Sequence, residues 1–187
     1  MSEKAKVYIA LVHYPVYNKT NEVIASAVTN LDIHDIARCA KTYDLDKYYL
    51  VTPIEEQGIL VNKILNHWRE GFGASYNSDR KSALDIVDIK SDLLDTISDI
   101  ENISGKKPKI IVTAAKKYDK SITYSLMKSE IANSDCPYLL LFGTGWGLTK
   151  PVIEGADHVL EPIVGRGDYN HLSVRSAVSI ILDRLFS

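Results

Sequence analysis

The sequence predicts an α/β protein with a mostly parallel, six-stranded sheet and helices on both faces of the sheet. Two observations lead to this prediction. Short runs rich in β-branched, leucine and tyrosine residues alternate with amphipathic segments, and one run, YLLLF at 138–142, is apolar throughout. Strands of this kind belong to parallel sheets that are covered on both faces. The 187 residues contain no linker rich in proline, glycine or serine, so we expect a single domain, 1–187.

Six short segments are predicted as strands because each combines apolar residues with β-branched or aromatic ones. They are residues 6–12, 48–52, 83–89, 110–114, 138–142 and 158–163. The segment 83–89 contains two aspartates and is the weakest of the six.

Five segments carry apolar residues at helical spacing and are predicted as helices. In the first, Asn30 and Asp32 are candidate N-terminal caps. The last is predicted from one apolar stripe that begins at Val174. The five ranges are 33–40, 60–68, 93–103, 124–131 and 174–185.

Composition and charge exclude several classes of protein. A net charge of −2 argues against nucleic-acid binding by bulk charge alone. An acidic stretch at 85–101 precedes a basic one at 106–120, which are either two solvated faces or a local phosphate-facing patch. No apolar run approaches the roughly 18 residues of a membrane span, and the first residues lead directly into a strand. We therefore expect a cytoplasmic protein.

Neither the cysteines nor the histidines have the spacing of a metal site. Cys39 and Cys136 lack metal-ligand and redox-motif spacing, and none of the five histidines pairs at zinc-helix spacing. We expect two reduced thiols and no structural metal. The sequence also lacks a Gly-x-Ser-x-Gly elbow, so a hydrolase nucleophile is not expected.

Three predicted strands end in small residues or glycines, namely at 113–115, 143–147 and 162–165. Ligands bind outside the carboxyl ends of parallel strands, where small residues let backbone groups approach closely. The glycines of 143–147 fit neither the dinucleotide fingerprint nor a phosphate loop. They form either a tight turn or a backbone-lined cofactor pocket, and the two similar strand ends favour the pocket. Trp146 in this loop is either a stacking platform or a loop anchor.

The C-terminal motifs resemble those of a known family. A strand, a glycine turn, a strand ending Glu161-Pro162-Ile163, and then Asn170-His171-Leu172-Ser173-Val174 before an apolar helix resemble the SPOUT class of S-adenosylmethionine-dependent RNA methyltransferases. Residues 29–38 are similar to the N-terminal helix motif of the tRNA and rRNA ribose methylases in that class. The resemblance spans nearly the whole chain and includes residues 68–73.

The resemblance implies a C-terminal trefoil knot, a homodimer with an active site shared between subunits, and S-adenosylmethionine held by three knot loops. The last helix then belongs to both the core and the dimer interface. The implied substrate is a tRNA or rRNA. The residues implied to bind the cofactor are Val112, Thr113, Ala114, Phe142, Gly143, Thr144, Gly145, Leu160, Pro162, Ile163, Leu172 and Ser173.

Arg38 occupies the place of an arginine that the ribose-methylating branch positions near the attacking hydroxyl. The sequence departs from that branch at Asp32, where an asparagine is expected, and at Asn170-His171-Leu172, which replaces Ser-Leu-Asn. Transfer to a base or to a ribose therefore stays open. The implied catalytic group is Arg38, Asp168, Asn170 and His171.

Each of these polar residues has a simpler interpretation as a helix cap or a loop hydrogen bond. Asp168 or His171 would otherwise accept a proton during transfer to a base. Two other functions remain open at this stage. One is a non-catalytic RNA-binding or regulatory module that keeps the fold and the cofactor pocket. The other is a nucleotide-binding α/β domain without a knot.

Overall fold

A seven-stranded sheet forms the centre of the computed structural model, which describes residues 5–187. Every recorded pairing within this sheet is parallel. In chain order its strands are β1 (Val7–Val12), β4 (Lys47–Val51), β5 (Val87–Lys90), β6 (Lys109–Val112), β7 (Ser121–Ile122), β8 (Tyr138–Gly143) and β9 (His158–Leu160). A separate antiparallel hairpin consists of β2 (Val16–Tyr17) and β3 (Val23–Ile24). The strand order of the sheet is β5-β4-β1-β8-β6-β9-β7.

The α/β class and the parallel sheet are confirmed, but the count of six strands was wrong. The seventh strand, β7, has two residues and is too short for a periodic signal. Residues 83–84, predicted to begin a strand, belong to a helix, and β5 starts at Val87. The strand predicted to continue to residue 163 ends at Leu160. Pro162 has no backbone N–H to continue the ladder.

Eight helices are present in residues 5–187. The five predicted helices are confirmed, and three short ones lack a full apolar period. The helix that was predicted to begin at residue 60 starts at Glu55. Its first turn is polar and therefore carried no apolar periodicity from which the start could be predicted. The ranges are α1 (Asn30–Thr42), α2 (Glu55–Arg69), α3 (Phe72–Tyr76), α4 (Ser78–Leu84), α5 (Leu93–Ser104), α6 (Tyr124–Ala132), α7 (Lys150–Glu154) and α8 (Val174–Phe186).

The caps of two helices show why they begin and end where they do. Thr29, and not Asn30 or Asp32, is the N-cap of α1, and its hydroxyl accepts a hydrogen bond from the Asp32 amide at 3.2 Å. Helix α5 ends at Gly105, whose φ of 73° lies in the left-handed region that glycine adopts readily.

Two apolar layers cover the two faces of the sheet. Along β1, Ile9 and Leu11 belong to one core cluster, and Tyr8, Ala10 and Val12 belong to the other. Helices α1, α2, α6 and α8 contribute to the first cluster, whereas α5 and α7 contribute to the second. Strands buried on both faces explain the nearly continuous apolar runs in the sequence. No helix within residues 5–187 has the length and apolarity that crossing a membrane requires.

Candidate functional site

Three of the predicted loops meet at one edge of the sheet. Strand β6 pairs with β8 on one side and with β9 on the other, and all three run in parallel. Their carboxyl ends are therefore neighbours, and the segments that follow them start from the same edge. Ten of the twelve residues implied to bind a cofactor thus lie at or just after adjacent strand ends, as a ligand site in a parallel sheet requires, and the other two, Leu172 and Ser173, precede α8.

The segment after β6 is held against β8. The Thr113 amide donates to the Leu141 carbonyl at 3.1 Å, and the Thr113 hydroxyl donates to the same oxygen at 2.9 Å. Val112 is buried, whereas Thr113 and Ala114 are half-buried. Small side chains at Ala114 and Ala115 leave the backbone as the main polar surface of this segment.

The glycine loop, residues 143–147, is clamped by the β2–β3 hairpin. The Tyr17 amide donates a hydrogen bond to the Gly147 carbonyl, and the Tyr17 carbonyl accepts one from the Trp146 amide, both at 2.9 Å. Gly145 has a φ of 59°, and a Cβ atom there would lie 2.8 Å from the Tyr17 carbonyl oxygen. A Cβ atom at Gly143 would lie 2.7 Å from the Leu148 amide nitrogen. These two glycines therefore permit close approach of the protein's own backbone, which the sequence interpretation had assigned to a ligand.

A partly buried polar chain links the glycine loop to the end of β1. His13 is fully buried, and its Nδ1 lies 2.9 Å from the Ser26 hydroxyl. The Ser26 hydroxyl in turn contacts the hydroxyl of Thr144, which donates to the Val12 carbonyl at 3.0 Å. Burial lowers the pKa of His13 to about 4, despite the opposing charge of Asp32, so the ring is neutral at neutral pH.

Neither His13 nor Ser26 was predicted from the sequence to be part of this edge. The signal was present in His13, a titratable residue directly after the central predicted strand. Ser26 carried no such signal, because it meets Thr144 only through tertiary folding.

At the third strand end, the carboxylate of Glu161 lies within the segment 160–163, which contains three of the residues implied to bind the cofactor. Leu160 is buried, and Pro162 and Ile163 are half-buried. Glu161 accepts a hydrogen bond from the Tyr124 amide at 2.9 Å, which satisfies one of the unpaired amides at the start of α6. The Glu-Pro-Ile motif therefore fixes α6 to β9 in addition to shaping the edge of the sheet.

The loop before α8, residues 164–173, is far more open. Residues 164–169 are exposed, and Leu172 is 46% exposed. Asn170 ties the loop to the β6 end by donating from Nδ2 to the Ala115 carbonyl at 2.8 Å. Ser173 is the N-cap of α8 and accepts from the Ser176 amide at 3.3 Å.

The predicted catalytic residues come from two segments of the chain, the loop before α8 and helix α1. Asn170 lies beside the end of β6, and the exposed residues Asp168 and His171 belong to the same loop. Arg38 instead lines a cleft between α1, α2 and α4. The lining of that cleft includes none of the residues implied to bind the cofactor, within the part of the chain that the structure describes.

Helix α8 reaches α1 through ion pairs at its first turn. Arg175 lies 3.4 Å from Asp32 and 3.1 Å from Asp35. Val178, Ile181, Leu182 and Leu185 are buried in the core, which confirms the core part of the prediction for this helix. The first turn of α8, which follows the loop 164–173, is therefore tied to the helix that carries Arg38.

Comparison with known proteins identifies a family over nearly the whole chain. Residues 6–187 match the model of a family described as SAM-dependent RNA methyltransferase. A protein from Aquifex aeolicus is 42% identical over 97% of this chain and 88% of its own length. A protein from Oleidesulfovibrio alaskensis named tRNA (guanine-N(1)-)-methyltransferase is 46% identical over 96% of this chain. This chain spans only 41% of that second relative.

The fold is also found among solved structures. The SpoU methyltransferase AviRb from Streptomyces viridochromogenes, in complex with AdoMet, superposes with a TM-score of 0.58 at 13% identity. The match covers 100% of this chain and 58% of the AviRb chain. At this identity the likeness concerns the fold.

Proposed function

Because the chain belongs to the family of S-adenosylmethionine-dependent RNA methyltransferases, we propose that it methylates tRNA with a cofactor bound at the carboxyl ends of β6, β8 and β9. The observation that supports this location best is the adjacency of the three strands, which brings all three implied loops to one edge. We further propose that residues 1–187 act as one domain whose C-terminal segment threads through a loop as a trefoil knot.

The residues at this edge fit a cofactor with a flat, neutral base. Phe142, Val112 and Leu160 are buried, so their contribution to a ligand would come from the backbone and from the shape of the floor. Ile163 and Leu172 are partly exposed apolar side chains that a neutral ring would cover. The holding set would be Val112, Thr113, Ala114, Phe142, Gly143, Thr144, Gly145, Leu160, Pro162, Ile163, Leu172 and Ser173.

The bound cofactor supplies an activated methyl group on a sulfonium, so the protein has to orient the acceptor and remove a proton. Asp168 or His171 would take this proton, since both are exposed in the loop that follows the end of β9. Asn170 would hold the loop at the β6 end through its hydrogen bond to Ala115. Thr113, Thr144 and Ser173 already use their hydroxyl groups within the protein, and their roles would therefore be to shape the pocket.

We propose that the protein is a homodimer and that Arg38 acts on the site of the other subunit. Within one chain, Arg38 lies in a cleft that is separate from the implied cofactor loops. An exposed arginine on α1, beside a helix that leads directly from the substrate-facing loop, is suited to reach across an interface. Helix α8 would contribute its outer face to that interface.

The relative named as a tRNA methyltransferase supports tRNA as the substrate of this chain. The atom that the relative's name specifies is not assigned to this chain. This chain matches 41% of that protein, so the guanine-N1 activity in its name need not belong to the matched part. Our proposal is therefore transfer to a base or ribose of tRNA, with rRNA as the other substrate class.

Two measurements test the proposal. Calorimetry with S-adenosylmethionine should show binding at micromolar concentrations, and labelled cofactor should transfer its methyl group to tRNA from a strain that lacks the protein. A folded protein that binds no cofactor at high micromolar concentration would overturn the proposal. Cofactor binding and RNA binding without transfer would instead indicate a regulatory RNA-binding module.

The Arg38→Ala variant tests the role of the arginine. It should bind the cofactor as the wild type does and lose at least about tenfold in transfer rate, because positioning and charge stabilisation near the acceptor would be removed. Lys41→Ala, on the same helix, is the matched control and should retain activity. Equal activity of wild type and Arg38→Ala would remove Arg38 from the mechanism.

A further inference from the structure

A cleft of about 460 Å³ lies between α1, α2 and α4. Its lining includes His34 and Arg38 from α1, Lys63, His67 and Trp68 from α2, and Arg80 from α4. Its volume is in the range of small-ligand sites. None of these residues except Arg38 has a role in the proposed methyl transfer.

The cleft is positively charged. Three fixed cations, Arg38, Lys63 and Arg80, line it, and its acidic residue, Asp35, is already paired with Arg175 at 3.1 Å. No ion pair involves any of these three cations within residues 5–187. A cluster of uncompensated cations in a concave site attracts phosphate groups.

Arg80 is held in position by Trp68. The Arg80 guanidinium lies 4.8 Å from the centre of the Trp68 ring. A Cβ atom at Gly73 would approach Trp68 Cε3 to 2.6 Å, so the indole is packed closely against the backbone and cannot turn freely. Trp68 therefore positions a cation, and its ring is not available as a stacking platform.

Two buried nitrogen atoms in the cleft lack hydrogen-bond partners in the described part of the chain. They are Nε of Arg80 and Nδ1 of His34. Burial, followed by the positive charges of Arg80 and Arg38, lowers the pKa of His34 and outweighs Asp35. Buried polar groups are normally paired, so two unpaired ones beside a charged cleft indicate a site built for a polar ligand.

Exposed aromatic side chains lie on the short helix that packs beside the cleft. Phe72 and Tyr76 are 74% and 75% exposed, and their rings are stacked with centroids 5.9 Å apart. Helix α3, which carries them, contacts both α2 and α4. Cationic grooves combined with exposed aromatic rings are the usual means of binding single-stranded nucleic acid.

We propose that this cleft binds a phosphate of the RNA substrate and that Phe72 and Tyr76 stack against an unpaired base beside it. The inference rests on the proposed function, because it assigns the RNA a second contact surface that is separate from the implied cofactor loops of the same subunit. The lysine-rich stretch at 106–120 is less suited to this role. Lys106 and Lys109, at its start, are paired with Asp135 and Glu130.

The test compares two exposed lysines. Lys63 lies in the cleft, whereas Lys107 lies between α5 and β6. The binding of a fluorescein-labelled uridine oligonucleotide of about 12 residues, and of total tRNA, is measured by anisotropy over a series of salt concentrations. Each loss of one phosphate contact to a single strand should reduce the slope of log affinity against log salt by about 0.7.

Lys63→Ala should weaken oligonucleotide binding several-fold and lower the salt slope by about that amount, and Lys107→Ala should change neither. Phe72→Ala and Tyr76→Ala should each weaken binding roughly fivefold or more while leaving the slope unchanged. Cofactor binding, measured by calorimetry, should be the same in all four variants. These results together would support the cleft as an RNA site.

Equal effects of Lys63→Ala and Lys107→Ala on affinity and salt slope would overturn the inference. So would a shift from dimer to monomer in Lys63→Ala, measured by light scattering, because the cleft would then be a subunit contact. The proposed function fails separately, through absence of cofactor binding or methyl transfer in the wild type. Oligonucleotide binding by the wild type and its variants shows whether the cleft binds RNA, whether or not the proposed function holds.

Discussion

The glycine loop, residues 143–147, and the loop 164–173 lie at the same edge of the sheet but are held very differently. The first is fixed by backbone hydrogen bonds to Tyr17, by a bridge between Val16 and Leu148, and by the partly buried polar chain from His13 to Thr144. The second is mostly exposed and is tied to the β6 end by the Asn170 side chain. One side of the proposed pocket is thus preformed, and the other is open.

This difference suggests a division of labour in binding. A preformed wall reduces the entropy lost when a ligand binds, because its groups are already ordered. An open loop permits entry of the cofactor and the RNA and can close over them afterwards. We expect changes in the glycine loop to affect stability first, and changes in the loop 164–173 to affect affinity first.

The largest effect is expected from Gly145→Ala. Its φ of 59° and the 2.8 Å approach to the Tyr17 carbonyl oppose any side chain there, so the variant should lose about 3 kcal/mol in the free energy of unfolding. Urea denaturation provides the measurement. Gly167→Ala in the open loop is the matched control, since a Cβ atom there meets nothing within 4 Å, and it should stay within about 0.5 kcal/mol. Similar losses in both variants would contradict the proposed difference between the loops.

The second prediction concerns pH. His13 has a folded-state pKa of about 4, below its ordinary value of 6.5, so the unfolded chain binds the proton more readily. The stability that neutral His13 contributes is complete above about pH 6.5 and is lost as the pH falls towards 4, by up to about 1.4 kcal/mol per pH unit.

The His13→Gln variant should therefore have a flatter dependence of unfolding free energy on pH between 6.5 and 4 than the wild type. Urea denaturation at several pH values provides the measurement. Parallel curves for wild type and His13→Gln would show that His13 does not contribute to the pH dependence of stability.

The smallest effect on stability is expected from Asn170→Ala. Loss of one partly exposed hydrogen bond should lower the free energy of unfolding by about 1 kcal/mol or less. The cofactor affinity measured by calorimetry should fall more, by several-fold, because the loop would lose its anchor at Ala115. Unchanged affinity would argue that this loop does not cover the cofactor.

Much of the architecture could be predicted because it follows from the spacing of apolar residues over short stretches of the sequence. The apolar runs of β1 and β8 and the stripe of α8 are visible at short range, and the resemblance to SPOUT methyltransferases, the RNA methyltransferase class and the cofactor are confirmed by the comparisons. Two-residue strands and the short helices α3, α4 and α7 were missed because they contain less than one useful period.

The site was predictable only as far as its strand ends. The edge that gathers Thr113, Gly143 and Leu160 follows from the rule for parallel sheets, whereas the contact of Ser26 with Thr144 depends on chain segments far apart in sequence. The cleft beneath Arg38 also escaped prediction, because Arg38, Lys63 and Arg80 come from three different helices. Their convergence is set by packing and not by spacing along the chain.

The pairing of β1 has a consequence for the order in which the protein folds. This strand lies in the interior of the sheet between β4 and β8, and Val7 pairs with Tyr138. During synthesis, β1 and the hairpin after it leave the ribosome long before β8 and the glycine loop exist. Until β8 is synthesised, the edge of β1 that pairs with it has no hydrogen-bonding partner. Contacts between residues so far apart in sequence slow folding. Nascent chains that end before residue 138 should accordingly depend on chaperones more than the full chain does.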